Sequence, residues 1–240
     1  MPELRFVETV AHRIAFLAYE PRRPRGVSIV AGHGYSSSKQ NLDPLCSFLA
    51  SHGFAVYSLD FPGHKLGSSS GTLRGLDDLL DAMFAVMDHA RGGPLYALGH
   101  SMGAITALLA ASADPTVAGV VSIATGIGRI AALEALAARG ATDLRSTYVD
   151  GVTLPELFAQ VEPRLIPALG HLAGRPQLYL AADRDFMVSR SSVEALFERA
   201  PEPKTFETIS SDHTSAGENA RSAVLSWLNA LHPRAVAASV

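Results

Sequence analysis

A serine flanked by two glycines lies between two apolar runs near the middle of the chain. The stretch reads "YALGHSMGA" and places Ser101 between Gly99 and Gly103. The apolar run before the serine predicts a buried strand, and the run after it predicts a helix. Small residues on both sides allow a sharp, crowded strand-to-helix turn from which the hydroxyl protrudes at the carboxyl edge of a sheet. The stretch therefore indicates a serine placed for nucleophilic chemistry.

A serine hydroxyl needs a base, because it is a weak nucleophile until its proton is removed. A supporting acid could lie in the last regions of the predicted sheet. Of the nine histidines, only His213 and His232 follow these regions along the chain. His232 ends the final amphipathic helix and is interpreted as a solvated helix-end residue. His213 follows the apolar run "TFETIS" in the polar loop "SSDHTSAG" and is the predicted general base.

The elements that must position these residues follow an alternation of apolar runs and helical stretches. Continuous apolar runs are typical of parallel strands covered on both faces, and the alternating start "LRFVETVAHRIAFLAYEP" favours an antiparallel hairpin. Asp43 and Pro44 are predicted as the N-cap and first residue of a helix. The sequence predicts an α/β fold in one domain over residues 1–240, with a mostly parallel twisted sheet and helices on both faces. The six predicted strands after the hairpin are "GVSIVAGHG", "FAVYSLD", "PLYALGH", "VAGVVSIATG", "PQLYLAAD" and "KTFETIS".

The alternation is interrupted between about residues 126 and 174, where the pattern is helical throughout. This insertion is predicted to be a small helical lid over the serine. Its apolar side chains could line an acyl pocket, or could instead hold the lid onto the core. The candidates for the lining are Ile127, Ile130, Leu133, Leu154, Leu157 and Phe158.

Composition limits the partners and the compartment. A chain that is 48% apolar and 18% charged can bury a large core, and a net charge of −3 provides no basic excess for nucleic acid or anionic membranes. No apolar run approaches the roughly 20 residues of a bilayer span, and no targeting segment is evident. Cys46 is the only cysteine, which fits a reducing compartment. We expect a cytoplasmic protein with a small-molecule substrate; the sequence indicates no oligomeric state.

These motifs together resemble the α/β-hydrolase family over almost the whole chain, from "GVSIVAGHGYSSSKQNLDP" through "GHSMG" to "SDHTSAG". The resemblance is to small bacterial serine esterases and monoacylglycerol-lipase-like hydrolases. It implies a serine nucleophile followed along the chain by an acid and a histidine, with no metal or organic cofactor.

The acid is chosen between two aspartates in "LYLAADRDFMVS". Asp185 occupies the acid position of the family's strand-end G-x-x-D-x-x-V pattern, although Ala182 replaces the glycine. Asp183 would then be a loop or capping carboxylate. Asp212 is adjacent to His213 and is interpreted as a solvated loop charge, because it cannot easily reach the ring of its neighbour.

Two backbone N–H groups are predicted to form an oxyanion hole. One belongs to Met102, directly after the serine, and the resemblance assigns the other to Tyr35, after "HG" at a strand end. The ring of Tyr35 is also expected to line the substrate pocket, together with Ile127, Leu157 and Phe158. A zinc site built from His33, His64 and His100 is conceivable, but no metal-ligand spacing supports it.

The loop "DFPGHKLGSSSG" departs from the family pattern, because Lys65 stands where a glycine is expected. The lysine is either solvated or contacts a carboxylate of the substrate. The aspartate at the start of this loop, Asp60, is interpreted as structural.

The predicted function is hydrolysis of carboxylic esters of small to medium hydrophobic substrates through an acyl-enzyme. The same fold and triad also serve lactonases, amidases, C–C hydrolases and perhydrolases or haloperoxidase-like enzymes, and no residue separates these reactions. A serine at this turn argues against dehalogenases and epoxide hydrolases, which place an aspartate there. A non-catalytic binding protein is the alternative from another class.

Overall fold

The described residues, 5–128 and 147–233 of a computed structural model, contain a sheet of eight strands in the order β1-β2-β4-β3-β5-β6-β7-β8. The first two strands form the predicted hairpin, and β2 pairs antiparallel with β4. All other neighbours are parallel. The strands are β1 (Arg5–Ala11), β2 (Ile14–Glu20), β3 (Ser28–Gly32), β4 (Ala55–Leu59), β5 (Leu95–His100), β6 (Val117–Ile123), β7 (Gln177–Ala182) and β8 (Lys204–Ile209).

Helices cover both faces of this sheet. Along β5, Leu95 and Ala97 face one hydrophobic core with α2 and α3, and Tyr96 and Leu98 face another with α1 and α7. A strand buried on both faces must be apolar throughout, which is why the continuous apolar runs predicted these strands. The predicted α/β fold class is confirmed. The helices are α1 (Asp43–Ser51), α2 (Leu76–Ala90), α3 (Met102–Ala113), α4 (Leu154–Leu169), α5 (Arg190–Arg199), α6 (Ala216–Asn219) and α7 (Arg221–Leu231).

The start of α1 differs from the prediction. Asp43 is the first residue of the helix and Leu42 is its N-cap, so Asp43 does not cap it. The reason is that a 3-10 turn, Lys39–Leu42, runs directly into α1. The Asp43 carboxylate instead accepts a hydrogen bond from the Tyr19 hydroxyl at 2.9 Å.

The predicted lid is described only in part, because residues 129–146, with Ile130 and Leu133, lie outside the described residues. After them, Thr153 caps α4 and forms a reciprocal pair of hydrogen bonds with Glu156. The helix packs against α3 through Leu157, Phe158 and Val161. Among the described helices, none is long and apolar enough to cross a membrane.

Candidate active site

Ser101 occupies a strained turn between β5 and α3. Its backbone has φ 54° and ψ −115°, and its N–H donates to the carbonyl of Ile123 at 2.9 Å. A Cβ atom at Gly99 would lie 2.1 Å from the backbone of Gly103, and one at Gly103 would lie 2.1 Å from the carbonyl oxygen of Gly32. Only glycine fits at these two positions. The turn thus holds the serine at the carboxyl edge of the sheet.

His213 lies between Ser101 and Asp185. Its Nε2 is 3.1 Å from the Oγ of Ser101, and its Nδ1 is 2.7 Å from Oδ2 of Asp185. The Asp185 side chain is fully buried, and His213 is 4% exposed. The structure therefore brings together the three residues that the sequence predicted as nucleophile, acid and base. Ser101 directly follows β5, Asp185 lies in the loop after β7, and His213 lies in the loop after β8.

Asp185 is held in its ionised form. Its Oδ1 accepts hydrogen bonds from the backbone N–H groups of Met187 and Val188, both at 2.8 Å. Burial alone would raise the pKa of Asp185, but the hydrogen bonds from His213 and from these N–H groups outweigh it and lower the pKa below its usual value. The carboxylate can therefore fix the orientation of the imidazole and balance a positive charge on it.

The alternative residues have other partners. Asp183 accepts a hydrogen bond from the Ser211 N–H at 2.9 Å, and Asp212 accepts one from the Ser215 N–H at 2.8 Å. The Nε2 of His232 lies 2.8 Å from the Tyr96 hydroxyl. These three residues therefore have local structural roles.

The loop after β3 passes directly beside the serine. A Cβ atom at Gly34 would lie only 3.2 Å from Nδ1 of His100, so a glycine lets this loop approach the end of β5. His33 fixes the loop, because its Nδ1 donates to the Gly34 carbonyl at 2.8 Å and its Nε2 accepts from the Phe61 N–H at 3.1 Å. Burial lowers the pKa of His33 well below its usual value, which keeps the ring neutral. Tyr35 follows immediately, and Met102 on the other side begins α3.

The histidines considered for a metal site serve in packing. The rings of His33 and His64 are 4.8 Å apart, and the Nε2 of His100 lies 2.8 Å from the carbonyl of His213. No cluster of His, Cys, Asp or Glu side chains suited to a metal ion occurs within residues 5–128 and 147–233.

A cavity of about 520 Å³ opens beside Ser101. None of its described lining residues is Asp, Glu, Lys or Arg. The lining consists of Gly34, Tyr35, Ser36, Ser37, Ser38, Gln40, Asn41, Leu66, His100, Ser101, Tyr148, Leu154, Met187, His213 and Thr214.

The structure corrects the predicted apolar lining. Tyr35 lines the cavity, and its hydroxyl donates to the Val152 carbonyl at 3.0 Å. Leu157 and Phe158 are instead buried in the core, at 1% and 3% exposed, and Ile127 borders a separate cavity of about 230 Å³. Only the first residue of α4, Leu154, reaches the cavity of Ser101; the next turn packs against α3.

Sequence reasoning missed most of the remaining lining. The polar residues from Ser36 to Asn41 directly follow Tyr35. Their position next to the predicted oxyanion loop could have indicated that they line the cavity. Met187 lies two residues after Asp185, which is a similar signal. Leu66 is next to Lys65, and Tyr148 lies within the predicted lid, but no pattern singled out either side chain as part of the lining.

Lys65 has a partner on the chain. It is 48% exposed, and its Nζ lies 3.0 Å from Oδ1 of Asp150 and donates to the Thr147 carbonyl at 2.9 Å. It does not line the cavity of Ser101. The lysine thus joins the loop after β4 to the segment before α4.

A second lysine, Lys39, is fully buried between two residues that line the cavity, Ser38 and Gln40. Its ammonium pairs with Asp60, contacts Glu8 at 3.0 Å and donates to the Ser68 hydroxyl at 3.0 Å. Its backbone N–H donates to Oδ1 of Asp60 at 2.7 Å. Burial alone would lower the pKa of Lys39, but the hydrogen bonds to Asp60 and Glu8 raise it. The lysine therefore stays charged and anchors the loop after Tyr35.

We expect Lys39→Met to lower the free energy of unfolding by about 3–5 kcal/mol, because the variant leaves the buried carboxylate of Asp60 without its counter-ion. The matched control is Lys65→Met, whose exposed pair with Asp150 contributes at most about 1 kcal/mol. Urea unfolding followed by circular dichroism measures both. Equal, small losses for the two variants would contradict the structural role of Lys39.

The sheet order and the Ser101 turn define an α/β-hydrolase, as the resemblance implied. The chain belongs to the family described as serine aminopeptidase, S33, whose profile matches residues 22–157. Over 94 residues it is 33% identical to a monoglyceride lipase homolog of monkeypox virus, a match that spans 36% of this chain and about a third (33%) of that protein.

Solved structures share the fold at low identity. An esterase of Pyrococcus furiosus superimposes with a TM-score of 0.67 and 20% identity, over 96% of this chain and 91% of the esterase. A membrane phospholipase A, described as a bacterial virulence factor, gives a TM-score of 0.74 and 18% identity. The match covers 96% of this chain and 87% of the phospholipase. At these identities the likeness shows the fold alone.

Proposed function

We propose that this protein is a serine hydrolase that cleaves carboxylic esters of small to medium size through an acyl-enzyme intermediate. The observation that carries the proposal is the hydrogen-bonded series from Ser101 through His213 to Asp185, with atoms 3.1 and 2.7 Å apart. Nucleophile, base and orienting acid within such distances are the arrangement that acyl transfer requires.

The mechanism begins with attack of the Ser101 oxygen on the ester carbonyl while Nε2 of His213 takes its proton. Asp185 keeps the proton on Nδ1 and balances the positive charge of the imidazolium. The backbone N–H groups of Tyr35 and Met102 donate to the oxyanion, and the positive end of α3 adds to its stabilisation. His213 then protonates the departing alkoxide, and water activated by the same histidine hydrolyses the acyl-enzyme. The scheme requires no metal or organic cofactor.

The lack of acidic side chains among the described lining residues favours an ester over an aminopeptidase substrate. An aminopeptidase must bind a protonated amine, and a buried ammonium is costly without a carboxylate partner. Among the described lining residues, none is Asp or Glu. Leu66, Tyr148, Leu154 and Met187 instead offer apolar surface for an acyl or alkyl group.

The test compares p-nitrophenyl butyrate with alanine p-nitroanilide, since both release a coloured product. We expect the purified protein to hydrolyse the ester and to leave the free-amine anilide intact. Faster release from the anilide would contradict the proposal and favour peptidase chemistry. Failure of both substrates would contradict the proposed esterase function.

A further inference from the structure

Five neutral polar side chains form one wall of the cavity that contains Ser101. They follow Tyr35 along the chain, and we call them the polar wall: Ser36, Ser37, Ser38, Gln40 and Asn41. Serine hydroxyls and side-chain amides both donate and accept hydrogen bonds, so together they present groups of both kinds within a few residues.

The side chains of the polar wall make no hydrogen bond within the described part of the chain, and Ser38 does not cap the turn that follows it. Neighbouring serines with structural roles behave differently. The Ser58 hydroxyl donates to the Lys39 carbonyl at 2.9 Å, and the Ser69 hydroxyl donates to the Asp60 carbonyl at 2.7 Å. The polar wall thus retains its hydrogen-bonding capacity for water or a bound molecule.

The backbone of the polar wall is nevertheless fixed. Lys39 lies in the middle of the segment, and its buried ammonium and backbone N–H both bind Asp60. The Ser37 N–H donates to the Gly34 carbonyl at 3.2 Å, and the Asn41 N–H donates to the Ser38 carbonyl at 3.0 Å. The fixed backbone removes the cost of ordering the loop on binding, so only the side chains of the polar wall must be ordered.

Four of the other described lining residues differ in character from the polar wall. These residues are apolar or aromatic: Leu66, Tyr148, Leu154 and Met187. The side chain of Leu66 is 56% exposed. No Asp, Glu, Lys or Arg is found among the described lining residues. A charged substrate group would therefore lose hydration without gaining a counter-charge, whereas a neutral hydroxyl or amide would find partners on the polar wall.

From this division we infer that the polar wall is a binding subsite for a neutral hydrogen-bonding arm of the ester, such as a polyol or hydroxyacyl group, while the apolar residues take the other arm. The inference rests on the proposed function and narrows its substrate class. It assigns Ser36–Ser38, Gln40 and Asn41 a role in specificity, in addition to the acyl transfer carried out by Ser101.

The test measures kcat/KM for four butyrate-sized esters. Propyl butyrate is the apolar reference, glycerol monobutyrate carries hydroxyls on the alcohol arm, and propyl 3-hydroxybutyrate carries one on the acyl arm. Monopropyl succinate adds a negative charge. We expect at least one hydroxylated ester to be preferred over propyl butyrate, by about two- to tenfold for each hydrogen bond formed, and the anionic ester to be the poorest.

The double variant Gln40→Met, Asn41→Leu keeps side-chain size and removes the amides. We expect the preference ratio for the hydroxylated ester to fall by about two- to tenfold, whereas the control Ser47→Ala, on α1 and outside the cavity lining, keeps the ratio. A wild-type ratio of one or less for both hydroxylated esters, or an unchanged ratio in the double variant, would overturn the inference while propyl butyrate turnover still supported an esterase. Failure of all four esters would overturn the proposed function and the inference with it.

Discussion

Replacement of Ser101 by alanine is expected to lower kcat for p-nitrophenyl butyrate by roughly 10⁴- to 10⁶-fold, because the attacking oxygen is lost while the rest of the site remains. Alanine keeps the Cβ atom that the turn already accommodates at φ 54°. The fold should therefore be retained, and circular dichroism with a thermal melt verifies this.

The residual rate of Ser101→Ala should come from the oxyanion donors and from binding alone. Ser47→Ala is the matched control, since its hydroxyl donates to the Asp43 carbonyl on α1 and does not line the cavity. We expect this control to keep wild-type turnover. Turnover of Ser101→Ala within tenfold of the wild type would show that the nucleophile has been assigned to the wrong residue.

The second large effect concerns the acid. Asp185→Asn is expected to lower kcat by roughly 10⁴-fold, because an amide at Oδ2 favours the wrong tautomer of His213 and cannot balance its charge. The carboxylate is fully buried, lies 2.7 Å from Nδ1 and accepts two backbone N–H groups through its other oxygen. Because the carboxylate is buried, a water molecule cannot easily take its place beside Nδ1 of His213.

Asp183→Asn is the matched control for the acid. This carboxylate lies two residues earlier, is 42% exposed and bonds to Ser211 and Ser210 instead of His213. We expect its replacement to leave kcat within a few-fold of the wild type, since exposed substitutions away from the reacting groups have small effects. Equal losses for the two variants, or a larger loss for Asp183→Asn, would reverse the assignment of the acid.

The sequence predicted the sheet well because burial on both faces leaves a direct mark. Strands such as β5 and β7 carry an apolar residue at nearly every position, whereas helices such as α2 and α4 bury only one side. The Ser101 turn is similarly local, since Gly99 and Gly103 are required by backbone contacts that any such turn makes. Features determined within one strand and one turn can be inferred from a single sequence.

Features that depend on distant parts of the chain could not be inferred in the same way. The apolar stripe of α4 shows that Leu157 and Phe158 are buried, but only the packing of α4 on α3 shows that they face the core and not the cavity. Burial of Lys39 depends on partners 21, 29 and 31 residues away, which sequence proximity does not indicate. A lysine in a polar loop is ordinarily solvated.

Labelling with a fluorophosphonate probe, followed by peptide mass spectrometry to locate the modified residue, tests whether Ser101 is an activated nucleophile. The probe reacts with a serine whose oxygen is activated by a neighbouring base, so it reports the Ser101–His213 pair without any assumption about substrate. We expect modification of Ser101 in the wild type and its loss in His213→Ala. Absence of Ser101 labelling in the folded protein, or labelling that persists in His213→Ala, would contradict this expectation.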